Sequence, residues 1–557
     1  MFKARVAIAS KYYTAPILIG ILVLLLIPLI CLLGLSAWVA DDYTIALPYR
    51  GAGFNAIYSR IWNWSPRPIS EIILFAYYKF VEQQKNSFAA YFLLLMWAFS
   101  YGSIFISLKI LFSNPAERAP ILSTHSTSFP IDGKKKSQNV RGKNSYLALI
   151  SLLWFVNFLF VSKPSESFYV PVVSAAYLPT ISGVILITSM MLKVLNSPKI
   201  TISEGIILII CGILTAFSSE VGSFYLLILS STLFLALALH YIKFIPIKLT
   251  MLSLDNWGYI KLSIINIIYF LMPSLVFFSL FRSRVGKAEL NSLDSPIAGN
   301  IKSSLILATQ KVIEEIFLLG QTDISNKAIF ASFSYSLAIK LLLLITIVTI
   351  LIQAKLTLPS ISYISVFVLG ASLIATNFVI ILAAYYQFGE LCCDRHLHFR
   401  SILLSLIVFN LGVAIASRLP SDRNIGKSNY GTVSMKQKFV ASNWFTLAVT
   451  TTFLVLLINL QIKSINNDFN HFNAIYSINK ENWDFNTKTE ILSGKFHNFP
   501  APHYAISFGM PTGIYKLNNQ TDLIYLSHEE GKELNPGESH YVKAYMKYFQ
   551  KEELFVY

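Results

Sequence analysis

Two adjacent carboxylates, Asp41 and Asp42, follow directly on the first long apolar run of the chain, Ala15 to Ala40. A membrane helix would emerge into water at that point, so charge there marks a place for chemistry at the bilayer surface. Downstream come Arg50 and Arg60 and then the segment Trp62-Asn63-Trp64-Ser65-Pro66-Arg67-Pro68, which crowds acid, base and aromatic groups into one loop. A carboxylate pair held beside cations and lipid suits reaction on a phosphate-bearing lipid substrate. The plainer reading is interfacial polarity at a helix end, with Arg60 and Arg67 snorkelling toward headgroups. Two further acids, Glu166 in Lys163-Pro164-Ser165-Glu166-Ser167-Phe168-Tyr169 and Glu220 in Ser218-Ser219-Glu220, also stand at helix ends. An acid tucked between spanning helices is costly unless used, which makes both candidates for an acceptor-binding or metal role. Cys392 and Cys393 precede Asp394, His396 and His398, but their spacing matches none of the usual zinc patterns.

The elements that must position these residues are membrane helices. Of 557 residues, 54% are hydrophobic and only 13% charged, with a mean hydropathy of +0.57. That composition lies outside the soluble range. The apolar residues form continuous runs, each long enough to cross a hydrocarbon core of roughly 30 Å, whereas barrel strands would alternate. By that criterion about eleven spans are predicted, near 15–39, 88–112, 145–162, 176–195, 203–219, 221–242, 262–281, 337–354, 359–384, 400–417 and 441–461. The first is too long, and its C-terminal flank too acidic, for a cleaved signal peptide, so it is expected to remain as an anchor.

Lysine and arginine set the orientation. Lys3, Arg5 and Lys11 precede the first span, Lys134, Lys135, Lys136, Arg141 and Lys143 lie between the second and third, and Arg418, Arg423, Lys427, Lys436 and Lys438 lie between the tenth and eleventh. With eleven spans these segments share one side, which the positive-inside rule makes cytoplasmic. Asp41, Asp42, Glu166, Glu220, Glu390 and Asp394 then share the other. The net charge of +16 is mostly juxtamembrane. It points to anionic headgroups of the bilayer and not to nucleic acid, because no basic face with interleaved base-stacking residues occurs outside the spans.

Three outer segments remain. In loop 40–87, Ile69, Ile72, Ile73, Ala76 and Phe80 recur at helical spacing over Pro68 to Val81, which predicts an interfacial helix. In loop 282–330, Leu305 to Leu319 predicts a second surface helix with Lys311, Glu314 and Glu315 on its polar face. From Ile462 to Tyr557 the apolar runs stop; short strands are expected at His503 to Phe508 and Leu523 to Leu526, and a helix from Ser539 to Gln550. The fold class is therefore an all-α polytopic membrane protein, 1–461, with a small C-terminal α/β extracytoplasmic domain, 462–557.

A first helix entering an outer loop with the Asp41-Asp42 pair, an interfacial helix behind Trp62 to Arg67, further outer acids and a soluble C-terminal region together resemble the GT-C superfamily. These are multi-spanning glycosyltransferases that use polyprenyl-phosphate-linked sugars, and the arrangement is nearest the bacterial type that glucosylates O-antigen or related cell-surface polysaccharides. The resemblance covers the membrane region to about residue 420, with the first ninety residues carrying most of it; the tail matches nothing nameable. It implies an enzyme of the cytoplasmic (inner) membrane with its N-terminus in the cytoplasm and its C-terminal domain periplasmic or extracellular. A hexose such as glucose would pass from a polyprenyl-phosphate-linked donor to a cell-envelope glycan or lipid acceptor, with inversion at the anomeric carbon.

The first acid of the loop pair would act as general base, which assigns Asp41, since a carboxylate need only receive the proton as the new bond forms. Asp42 would raise the pKa of its neighbour, hold the acceptor, or bind a divalent cation such as Mg or Mn. The leaving lipid phosphate needs cations, and Arg60, Arg67 and Arg395 match that need. Glu166, Glu220, Trp62 and Trp64 are the auxiliary or acceptor-side residues. The alternatives are a polysaccharide polymerase or ligase, whose large outer loop would lie late in the chain and be rich in arginine, and a lipid-linked glycan transporter, which would show paired repeats and broken helices. Convergence of Asp41, Glu166, Glu220 and Arg395 on one cavity would favour the transferase.

Overall fold

The computed structural model describes residues 2–36, 38, 40–63, 66–84, 88–112, 133–162, 164–197, 199–241, 256–284, 299–317, 326–354, 361–391, 394–418, 443–498, 504–505, 510–518, 522–526 and 536–557. Most of them are helical, as a continuous apolar sequence requires, because in hydrocarbon every backbone N–H and C=O has to be paired within its own segment. Eight helices are long and apolar enough to cross a membrane: Thr14–Leu35, Ala89–Leu111, Pro171–Val194, Glu220–Leu239, Asn256–Leu280, Tyr335–Ala354, Tyr363–Phe388 and Arg395–Arg418. Two more apolar helices, Asn144–Phe160 and Ile202–Ser218, are shorter, and Trp444–Asn459 joins Ile462–Asn486 through a bend of 62°. All eleven predicted segments are thus helical, and eight meet the full length criterion.

In chain order the helices used below are α1 (Phe2–Cys31), α2 (Ala40–Ala52), α3 (Asn55–Asn63), α4 (Pro68–Gln84), α5 (Phe88–Leu111), α6 (Gly133–Phe160), α7 (Ser165–Tyr169), α8 (Pro171–Val194), α9 (Ile202–Ser218), α10 (Glu220–Tyr241), α11 (Asn256–Arg284), α12 (Ile301–Phe317), α13 (Asn326–Ala354), α14 (Tyr363–Phe388), α15 (Asp394–Arg418), α16 (Asn443–Asn459), α17 (Ile462–Asn486) and α18 (Pro536–Tyr548). Helix α8 is the centre of the bundle, buried along nearly its whole length. It packs on α5, α9 and α15. Two glycines allow the closest approach: a Cβ at Gly183 would collide with the Thr215 hydroxyl, and one at Gly222 with the Thr215 carbonyl. Small residues at such crossings let membrane helices pack backbone to backbone. Here they draw the α9–α10 corner onto α8, where the Thr180 and Ser219 hydroxyls are 2.8 Å apart, and so fix Glu220, the next residue.

The C-terminal region holds a four-stranded sheet of order β1-β4-β2-β3, with β1 Ser493–Phe496, β2 Gly513–Asn518, β3 Asp522–Leu526 and β4 Glu553–Val556. β1 runs parallel to β4, and the other pairs are antiparallel. The strand expected at Leu523 to Leu526 and the helix expected from Ser539 are present as β3 and α18. The strand expected at His503 to Phe508 is not borne out where it is described. Tyr504 and Ala505 form a bend, because both amides turn inward to Asp468 Oδ2, at 3.0 and 2.7 Å, in place of a ladder partner. The Tyr504 hydroxyl also donates to the Leu159 carbonyl, 2.9 Å away, tying this region to the end of α6.

The surface helix expected from loop 282–330 needs a larger correction. α12 is present, but the face of Lys311 and Glu315 points into the protein. Its exposed face carries Ile301, Leu305, Ile306, Ile313 and Phe317. Sequence alone identifies two faces of an amphipathic helix but not which one meets the bundle, and here charged partners on α13 and α15 reverse the usual choice.

Candidate functional site

The loop after α1 folds into three short helices. Pro68 opens α4, where a missing N–H costs nothing, and the Arg67 carbonyl accepts from the Glu71 amide and the Ser70 hydroxyl. Glu71, Leu74, Tyr77, Tyr78 and Val81 form the buried face of α4, so the helix lays one carboxylate and two phenols against α2.

Asp42 is fully buried there. The Tyr78 hydroxyl donates to its Oδ1 at 2.7 Å. Around them stands an aromatic cluster, in which the Trp38 ring lies 4.9 Å from Tyr78, 5.6 Å from Tyr43, 5.4 Å from Trp483 and 5.3 Å from Tyr548, with the Trp38 Nε1 donating to the Tyr77 hydroxyl at 2.9 Å. Burial first, and then the Asp42 charge, hold the Tyr77 and Tyr78 phenols well above their usual range. Both remain protonated at neutral pH, so Tyr78 can only donate to Asp42. Helix α18, packed on α2, closes the cluster, and Arg50 reaches back to the Tyr548 carbonyl at 3.2 Å. Asp41 begins the same helix, but its side chain lies outside the described residues, as does Trp64. Trp62 is exposed beside Tyr58.

Arg60 is not a loose snorkelling residue. Its Nε lies 2.8 Å from Glu71 Oε2 and its Nη2 3.3 Å from Oε1, and the Tyr49 hydroxyl donates to the same carboxylate. Burial works against the Arg60 charge, but the charge and hydrogen bonds of Glu71 more than offset it and hold its pKa above the ordinary value. Arg67 pairs with Glu220 through Nε at 2.5 Å and through Nη2. Arg395 stands 3.7 Å from Glu166 Oε2, which also accepts its backbone amide at 3.3 Å. The Tyr177 phenol on α8 interacts electrostatically with all four of these charges, and the His396 ring lies 5.9 Å from that of Tyr177. Four separate connections, before α4, at α7, before α10 and before α15, therefore meet at one end of the bundle.

Two centres result. Arg67, Glu166, Glu220 and Arg395 come together with Tyr177 and His396; Asp42 sits with Tyr78, Tyr49, Glu71 and Arg60. α4 links them, with eleven residues from Arg67 to Tyr78, or roughly 16 Å along a helix rising about 1.5 Å per residue. Among the described residues no group of three or more His, Cys, Asp or Glu side chains is placed to hold a metal ion. Cys392 and Cys393 lie outside the described residues, while His398 turns inward, its Nε2 2.7 Å from the Phe158 carbonyl. Sequence reading missed Tyr49, Glu71, Tyr78 and Tyr177, and gave His396 no role. Glu71 and Tyr78 lie opposite the predicted apolar face of Ile69, Ile72, Ile73, Ala76 and Phe80, of which Ile72 and Phe80 are exposed, so the face that meets α2 is not the one the periodicity marks.

Compared with known protein families, curated proteins and solved structures, the chain has no match.

Proposed function

We propose that the protein is a membrane glycosyltransferase that moves a hexose from a polyprenyl-phosphate donor to a cell-envelope glycan or lipid. In this reading the chain has eleven spans in the cytoplasmic membrane, an N-terminus in the cytoplasm, and the acid pair and the 462–557 domain on the opposite side. The observation that carries it is the gathering of Arg67 with Glu220 and Arg395 with Glu166 around Tyr177. Alternate crossings alone bring these connections to one end of the bundle; the two ion pairs set around one phenol there are groups that a polar ligand could use.

The roles divide by environment. Asp42 is committed to Tyr78 within the aromatic cluster, so it orients α2. Asp41, one residue earlier on α2, takes the acceptor proton. Arg60 shares the first-loop helices with the acid pair and is held by Glu71, so it stabilises the leaving phosphate, while Arg67 and Arg395 receive the donor on its way in. A guanidinium offers five donors, and Arg60 keeps donors beyond those spent on Glu71.

The test is transfer in proteoliposomes from radiolabelled polyprenyl-phosphate glucose to lipid-linked envelope glycans. Label should move to acceptor with the wild-type chain and not with Asp41→Asn. Absence of transfer from every polyprenyl-phosphate hexose supplied, with the protein shown folded, overturns the reading.

A further inference from the structure

Five residues along α15 from Arg395, the bundle buries a second charged group. Arg400, one of the largest fully buried side chains, lies on α15 and clasps Glu315 of α12, with Nε 3.1 Å from both carboxylate oxygens and Nη2 2.7 Å from Oε1. Lys340 of α13 donates to the Glu315 and Ile316 carbonyls at 3.1 and 2.5 Å, at the C-terminal end of α12. Lys311 spends its charge on Glu314, 3.2 Å away. Two cations, Arg400 and Lys340, therefore share one carboxylate and the negative end of a helix dipole, worth about half a charge. The Arg400 Nη1 is buried and has no hydrogen-bond partner among the described residues. Such a donor is costly in a low-dielectric interior unless something fills it.

The surroundings suit one class of ligand. α12 turns Ile306, Ile313 and Phe317 outward, and α13 beside it exposes Leu337, Leu341 and Ile345. Both flanks of the seam are thus apolar on the outside and cationic within. A ligand with acyl chains and an anionic head matches both parts, as basic pockets between membrane helices do for phosphate-bearing lipids.

We propose that the α12–α13–α15 seam is a binding site for the phosphate head of an anionic lipid, seated on Arg400 and Lys340, and that the Glu315 carboxylate holds this seat when the lipid is absent. The inference goes beyond glycosyl transfer and stands without it. Its sign is unusual, because removing the acid should help the ligand: Glu315→Gln frees the guanidinium and removes a competing charge.

Native mass spectrometry of the purified full chain, with phosphatidylglycerol or phosphatidylcholine added, reads this directly. Phosphatidylglycerol should bind in preference to phosphatidylcholine. Glu315→Gln should tighten it, and Lys340→Gln and Arg400→Gln should each weaken it, by about tenfold to a hundredfold for one charge-assisted hydrogen bond. If Arg400→Gln fails to fold, Lys340→Gln and Glu315→Gln still decide. Retention of the lipid in millimolar inorganic phosphate supports a lipid head as the source, and displacement by it overturns that assignment. Equal binding of the two lipids, or a folded Glu315→Gln that binds no more tightly than wild type, overturns the site itself.

Discussion

Glu71→Gln is the sharpest perturbation of the first-loop centre, because it removes a charge while keeping the shape of the side chain. Glu71 is 3% exposed and Arg60 14%, so both charges are largely out of water, and Tyr49 adds a third group to the same carboxylate. Removing one member of a buried pair leaves the other uncompensated, at a cost of about 3–5 kcal/mol. The partial exposure of Arg60 places the expected loss near the lower end, about 3 kcal/mol. The double variant Glu71→Gln with Arg60→Met should recover most of that loss, since no charge remains buried, while Tyr49→Phe should cost only about 1 kcal/mol for one hydrogen bond. Unfolding in mixed micelles titrated with a denaturing detergent gives these free energies, and Arg60→Met alone closes the cycle that isolates the coupling between the two residues. A single-variant loss under about 1 kcal/mol would mean a screened pair of the surface kind. Arg60 would then not be preorganised, and its assignment to the leaving phosphate would fall with it.

Asp41→Asn should lower turnover on the order of 100-fold or more with donor affinity nearly unchanged; retained activity in Asp41→Asn combined with Asp42→Asn would remove the acid pair from the mechanism. At least one of Arg60, Arg67 and Arg395 should tolerate neither alanine nor lysine, with the Michaelis constant for the lipid donor rising about tenfold to a hundredfold, whereas a snorkelling arginine accepts lysine. Wild-type behaviour of all three lysine variants would move the phosphate site elsewhere. In a cysteine-free background, an impermeant thiol reagent should label cysteines placed at Asn55 and Asn518 from outside, and at Ser137 only after permeabilisation; the reverse pattern would invert the proposed orientation.

What could be read from sequence divides along a physical line. Apolar runs are local, and a hydrocarbon solvent leaves a continuous apolar segment one regular structure, so all eleven predicted segments are helical. The helix at Pro68 was legible for a related reason, since its period of apolar residues and its opening proline are both local signals. Residues that stand at helix ends were legible as a class too: Arg67, Glu166, Glu220 and Arg395 share one end because alternate crossings put them there. Their pairing was not legible, because Arg67 finds Glu220 across 153 positions and Arg395 finds Glu166 across 229.

The same limit explains why Asp42 and α12 read differently in three dimensions. A carboxylate after a hydrophobic run is expected in water, yet Asp42 is buried because α4 supplies a phenol and α18, nearly five hundred residues later, supplies rings that shut out solvent. A helix bearing Lys311 and Glu315 is expected to face those charges outward, yet in a bilayer the outside is apolar. Its charges are then cheaper against Arg400 than against lipid, which turns the helix over. Amphipathic patterns near a membrane therefore fix two faces and leave their assignment to the partners. At α12 the deciding partner is one arginine, so replacing Arg400 and Glu315 together with apolar residues should keep α12 docked, whereas an apolar residue at Arg400 alone, which leaves the Glu315 carboxylate buried without its guanidinium, should not.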